Sequence, residues 1–217
     1  MSTLGGAIAW LGANPGTFGT ALLDHLLLSV TGLLIGIAIA LPAGVAVARR
    51  PRLAEATIAF AGLLRTLPSL AVLAALLPLL GVGFTPSVVA LAITAIPPVL
   101  VNTVIGLNTA DPAALDAARG LGLTPMQRAV GVELPLAAPL VFAGLRIAAV
   151  QVVSAAALAT FIGGGGLGDL VTQGLALLDT GRMLVGAVAI AALALLAEAG
   201  FGLLERRAAA GWRDAPA

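Results

Sequence analysis

Few side chains in this sequence can do chemistry. The 217 residues include no cysteine, no lysine and no tyrosine, one histidine (His25), and arginine as the only strongly basic residue. Without cysteine there is no disulfide and no thiolate metal site. The common phosphate-cradling loop of nucleotide sites needs Gly-Lys-Ser/Thr, and a chain without lysine cannot form it. Gly163, Gly165 and Gly168 match the spacing of a dinucleotide-binding turn. That turn works only between a strand and a helix of an α/β unit, and here it lies between two apolar runs. His25 precedes the first long apolar run and reads as a polar residue at headgroup level. No catalytic residue, cofactor or metal is expected, and the chain reads as a non-enzyme.

What remains is one polar stretch, residues 111–135, DPAALDAARGLGLTPMQRAVGVELP. Asp111 can cap a helix, and Pro112 suits its first position because the missing N–H would be unpaired there anyway. Gly120 and Gly122 offer places to stop. Thr124-Pro125 repeats the cap-then-proline signal for a second short helix. Leu134-Pro135 should end that helix and turn the chain back toward lipid. Small residues Ala117, Ala118 and Gly122 would let another protein's surface come close. The chemistry on offer is docking.

The elements that must position this stretch are membrane helices. The chain is 60% hydrophobic and 10% charged, against about 25% charged in a soluble domain. Its apolar runs are continuous rather than alternating, which selects helices over a barrel. The expected fold is an all-α integral membrane protein with about five spans. They lie at Leu26–Ala48, near Thr57–Leu80, near Pro86–Leu107, near Ala137–Ile162, and at Met183–Leu204. Residues 1–24 read as an outer lead-in, 25–207 as a single membrane domain, and 208–217 as a cytoplasmic tail. Of eleven arginines, eight (49, 50, 52, 119, 128, 206, 207, 213) fall on one side, Arg182 on the other, and Arg65 and Arg146 within spans. The positive-inside rule then puts the N-terminus out, the C-terminus in, and residues 111–135 in the cytoplasm.

Two spans carry polar breaks. Arg65 stands beside Thr66-Leu67-Pro68-Ser69-Leu70. This is either a kinked helix with a snorkelling arginine or a break that lines a pathway. Ile96-Pro97-Pro98 and Asn102-Thr103 give the third span a similar kink and polar patch. Thr66, Pro68, Ser69, Asn102 and Thr103 are therefore the candidate path residues. Ser154 to Ala157 suit close helix packing. Gly163 to Asp169 form a flexible or closely packed turn into a re-entrant or interfacial segment, residues 170–178.

The polar stretch resembles the cytoplasmic loop of ATP-binding-cassette importer permeases. Its pattern is E-A-A, three residues, G, nine residues, I, one residue, L-P. Here Asp116, Ala117, Ala118, Gly122, Val132, Leu134 and Pro135 hold that spacing, with Asp for Glu and Val for Ile. The resemblance implies a coupling helix that docks on an ATPase, with Arg119 and Gly120 in the same segment. Thr66–Leu70, Asn102-Thr103, Ala117–Gly122, Glu133–Leu136 and Gly144-Leu145-Arg146 look like the permeases for glycine betaine, carnitine and choline. Methionine-type and other amino-acid permeases are the alternative, and an ion-coupled carrier a more distant one. The implied partners are two ATPase subunits, a second permease copy or paralogue, an extracytoplasmic binding protein and the bilayer of a prokaryotic cell membrane. Nucleic acid is not among them. A quaternary ammonium is held by an aromatic cage, and with only Trp10 and Trp212, near opposite ends of the chain, that cage is expected on the binding protein.

Overall fold

The computed structural model describes residues 3–210, which form helices and short connections with no strand among them. In chain order these are α1 Thr3–Ala13, α2 Pro15–Ala48, α3 Pro51–Thr66, α4 Ser69–Leu80, α5 Phe84–Asn108, α6 Pro112–Gly120, α7 Pro125–Arg128, α8 Leu134–Ala156, α9 Leu167–Ala176 and α10 Thr180–Ala210. A π segment, Ala129–Glu133, joins α7 to α8, and a 3-10 segment, Ala157–Ile162, extends α8. α2, α5, the run Pro125–Ile162 and α10 are long and apolar enough to cross a membrane; α3 with α4 makes a fifth if the bent pair is one span. This is the expected all-helical membrane architecture. Of the tail, residues 211–217, with Trp212 and Arg213, lie outside the described residues.

α5 is the axis, with α2 along one side and α8 along the other. α2 meets it through Gly32, Gly36, Ala40 and Gly44, all buried. Residues four apart share one helix face, so these form a single smooth stripe. A Cβ at Gly36 would sit 2.5 Å from Ala95 Cβ, and one at Gly32 2.6 Å from Leu91 Cβ. On the other side, a Cβ at Gly144 would be 2.6 Å from Asn102 Cβ and 2.8 Å from the Pro98 carbonyl oxygen. Lipid tails are as apolar as leucine, so helices associate there through close backbone approach rather than hydrophobic exclusion. Of the small residues expected to pack, Ala156 is buried but Ser154 is exposed.

The start of the chain is helical from Thr3. α1 lies against α10, and a Cβ at Gly181 would stand 2.7 Å from the Gly6 carbonyl oxygen. α2 begins at Pro15, eleven residues before the expected span, so Asp24 and His25 are mid-helix. His25 does not face out of the bundle. It is fully buried, and its Nε2 lies 3.0 Å from the Val153 carbonyl oxygen. Val153 lies in the last turn of α8, just before the helix tightens into the 3-10 segment. Its carbonyl gives the buried Nε2 a partner, as buried polar atoms require.

Pro68 does not kink the second span but breaks it. Leu67 is extended, at φ −72° and ψ 124°, as a residue before proline prefers. α3 and α4 meet at 90°. The Thr66 hydroxyl donates to the Leu63 carbonyl at 2.7 Å. Pro42, Pro97, Pro98 and Pro139 stay inside helices. Leu134-Pro135 likewise does not end a helix. The Leu134 N–H donates to the Ala129 carbonyl in the wider π pattern, and the helix continues into α8. The π turn gives the Pro135 ring room against the preceding turn.

The glycine turn is closely packed. Gly163, Gly165 and Gly166 take φ of 71°, 79° and 95°, which side chains resist. A Cβ at Gly164 would fall 2.3 Å from Ser87 Oγ. α9 follows and packs on α10.

Candidate functional site

The polar loop folds by local rules. The Ala113 N–H donates to Asp111 Oδ1 at 2.9 Å and starts α6. α6 closes with a left-handed cap: Gly122 has φ 74°, its N–H donates to the Arg119 carbonyl at 3.0 Å, and the Leu123 N–H donates to the Ala118 carbonyl at 3.2 Å. This double bond pattern pairs two carbonyls at the helix end and favours glycine. Thr124 and Gln127 then cap α7 reciprocally, at 3.3 Å and 2.8 Å, which satisfies two otherwise free N–H groups.

The loop has two faces. Asp116, Ala117, Arg119, Gly120 and Gly122 are exposed, while Val132, Leu134 and Pro135 are half-buried where the chain rejoins the bundle. Ala118 faces inward, only 3% exposed. The Asp116–Arg119 pair, 2.7 Å apart, is exposed on both sides and adds little stability. The sequence reading passed over three apolar residues on the outer face: Leu121, 80% exposed, Met126, 73%, and Val130, 54%. Large apolar side chains on an otherwise polar loop mark a contact surface. Arg49, at the end of α2, holds the loop's return to the bundle through Glu133 at 2.7 Å.

The second feature is a half-open cavity of about 600 Å³ beside the α3–α4 break, within the range of about 300–1,000 Å³ for small-molecule sites. α3 and α4 contribute Leu64, Arg65, Leu67, Ser69 and Val72. α5 contributes Ile93, Thr94 and Pro97, and α8 with its 3-10 extension contributes Gln151, Ser154 and Leu158 among others. Of the candidate path residues, Ser69 is on this wall. Thr66 and Pro68 are exposed beside it. Asn102 and Thr103 are not on it. Thr103 is buried and donates to the Val99 carbonyl at 2.7 Å, and Asn102 donates to the Pro98 carbonyl at 2.8 Å. Both sit where α5 meets glycines, Thr103 under Gly44 and Asn102 under Gly144. Arg146 bridges α8 to α10, at 3.4 Å from Glu198 and 3.4 Å from Glu205.

A helical membrane bundle with a broken span beside a cavity and a capped, exposed polar loop defines the membrane subunit of an ATP-binding-cassette importer. The chain belongs to the family described as binding-protein-dependent transport system inner membrane component, whose profile matches residues 32–210. It is 42% identical over 184 residues to a carnitine transport permease protein of Listeria monocytogenes, covering 85% of this chain and 84% of that one. It is 40% identical over 184 residues to a glycine betaine/carnitine/choline transport system permease protein of Bacillus subtilis, covering 85% of each. Among solved structures, an inward-facing methionine transporter of the same class superposes with a TM-score of 0.77 at 23% identity, over 93% of this chain and 97% of that one. The chain is thus an inner-membrane permease subunit.

Proposed function

We propose that this permease imports quaternary-ammonium osmoprotectants of the glycine betaine, carnitine and choline type. The likeness to permeases named for these solutes, across about 85% of the chain, is the observation that carries the substrate. The methionine transporter supports the fold alone at its identity. Two copies, or this chain and a paralogue, enclose the path, since the 600 Å³ cavity of one copy is only half enclosed. The lysine-free sequence leaves ATP to two cytoplasmic ATPase subunits. These dock on Asp116, Ala117, Arg119, Leu121, Gly122, Met126 and Val130. An extracytoplasmic binding protein delivers the solute and, holding the aromatic cage, sets the affinity. Residues 111–135 and the C-terminus lie in the cytoplasm, and the 163–166 turn lies outside.

The test is uptake. The permease is expressed with its ATPase and binding protein in a bacterium stripped of its own osmoprotectant uptake, in high-osmolarity medium. Labelled glycine betaine, carnitine or choline should accumulate in an ATP-dependent way, and the ATPase should co-purify with the permease. Uptake of methionine, with none of the three osmoprotectants, would overturn the substrate reading.

A further inference from the structure

The cavity has one fixed charge, and it is positive. Arg65 is on its wall, no aspartate or glutamate is, and the remaining polar lining, Ser69, Thr94, Gln151 and Ser154, is neutral. The arginines that hold the fold together have partners. Arg146 has Glu198 and Glu205, Arg49 has Glu133, and Arg182 has Gln173 and the face of Trp10 at 5.5 Å. Arg65 has no hydrogen bond or ion pair to any described residue. It stands in the last turn of α3, within the bent helix pair that is apolar enough for a membrane span, and an unpaired arginine in such a segment is costly and marks function. α4 restarts at Ser69 on the same wall, so the positive end of that helix adds charge of the same sign.

Resting on the osmoprotectant reading, we propose that Arg65 reads the carboxylate of the passing solute, so the permease itself favours zwitterionic betaines over purely cationic choline. A guanidinium pairs with a carboxylate through two parallel N–H bonds. The methylated ammonium needs no hydrogen bond and can rest on Leu67, Val72 and Leu158. A second copy brings a second Arg65, which deepens the positive potential. Choline offers no carboxylate, and its charge has the sign of Arg65. The binding protein sets which solute is delivered and how tightly, whereas Arg65 sets how fast a delivered solute passes.

The experiment uses the whole transporter in proteoliposomes, with saturating binding protein, and compares maximal uptake rates of glycine betaine and choline. Wild type should favour glycine betaine. Arg65→Gln should lower the betaine-to-choline ratio about tenfold, the loss of one charged hydrogen-bonding contact, and Arg65→Glu should lower it further. Arg65→Lys should retain most of the preference. If Arg65→Gln does not assemble, Gln151→Asp, which places a negative charge on the opposite wall, should lower the same ratio. A ratio unchanged in every assembled variant overturns the inference, even if both rates fall together. Wild-type vesicles that take up neither solute overturn the osmoprotectant reading itself.

Discussion

Gly36→Ala tests whether α2 and α5 are held by backbone proximity. The new methyl would fall 2.5 Å from Ala95 Cβ and 3.0 Å from the Ala92 carbonyl oxygen. Neither neighbour is a flexible side-chain end, so the helices must separate by about 0.9 Å to reach an ordinary 3.4 Å contact. Overpacking of this kind costs about 1–3 kcal/mol. Replacing a mid-helix glycine with alanine returns about 0.5–1 kcal/mol. The net expectation is destabilisation by about 1 kcal/mol, between bounds of about 0 and about 2.5 kcal/mol. Gly19→Ala, in the same helix with nothing within 4 Å of its Cβ, receives only the gain. The assay is unfolding of the purified permease by SDS titration in mild-detergent micelles, followed by circular dichroism. Gly36→Ala unfolding at the wild-type midpoint or above it, alongside Gly19→Ala, would refute the close-approach account.

Gly120→Trp, at an exposed helical position with nothing within 4 Å of its Cβ, should insert normally yet lose ATPase co-purification and uptake; wild-type uptake at equal expression counts against the docking surface. Single cysteines at Glu55 and Arg207 should resist an impermeant thiol reagent in intact cells while one at Thr180 reacts, and the reverse labelling would invert the proposed orientation. Ser69→Ala should lower the saturating uptake rate by a few fold at unchanged apparent affinity. Asn102→Ala should lower stability by about 1 kcal/mol and leave the rate per folded molecule alone; a rate change in Asn102→Ala without a stability change would return it to the path.

The docking loop was legible because its signals are local. Asp111-Pro112, the glycine at 122 and Thr124-Pro125 specify caps within a few residues of themselves, and each forms as read. His25 was not legible in this way. Its partner carbonyl lies 128 residues away, at the end of α8. The prolines were ambiguous, since Pro68 and the Pro97-Pro98 pair give similar signals. Pro97 and Pro98 are buried where α5 packs between α2 and α8, and the helix continues through them, whereas Pro68 is exposed and its helix breaks. The stripe Gly32, Gly36, Ala40, Gly44 was readable as a period of four and went unused. Leu121, Met126 and Val130 looked like ordinary apolar positions, and only their exposure marks a contact face.

The π segment keeps the polar loop and the cavity wall on one continuous helical rod. From Pro125 to Ile162 the helix runs 38 residues, about 57 Å at 1.5 Å per residue. Gln151 stands about 40 Å from the loop end along that rod. The rod is tied to the bundle where Arg49 clasps Glu133 and where Gly106 lies under Ala137. Gln151 lies about 24 Å beyond these ties, so a tilt of about 5° about them would sweep it through about 2 Å. A displacement of the exposed loop would therefore reach the cavity wall through the rod itself.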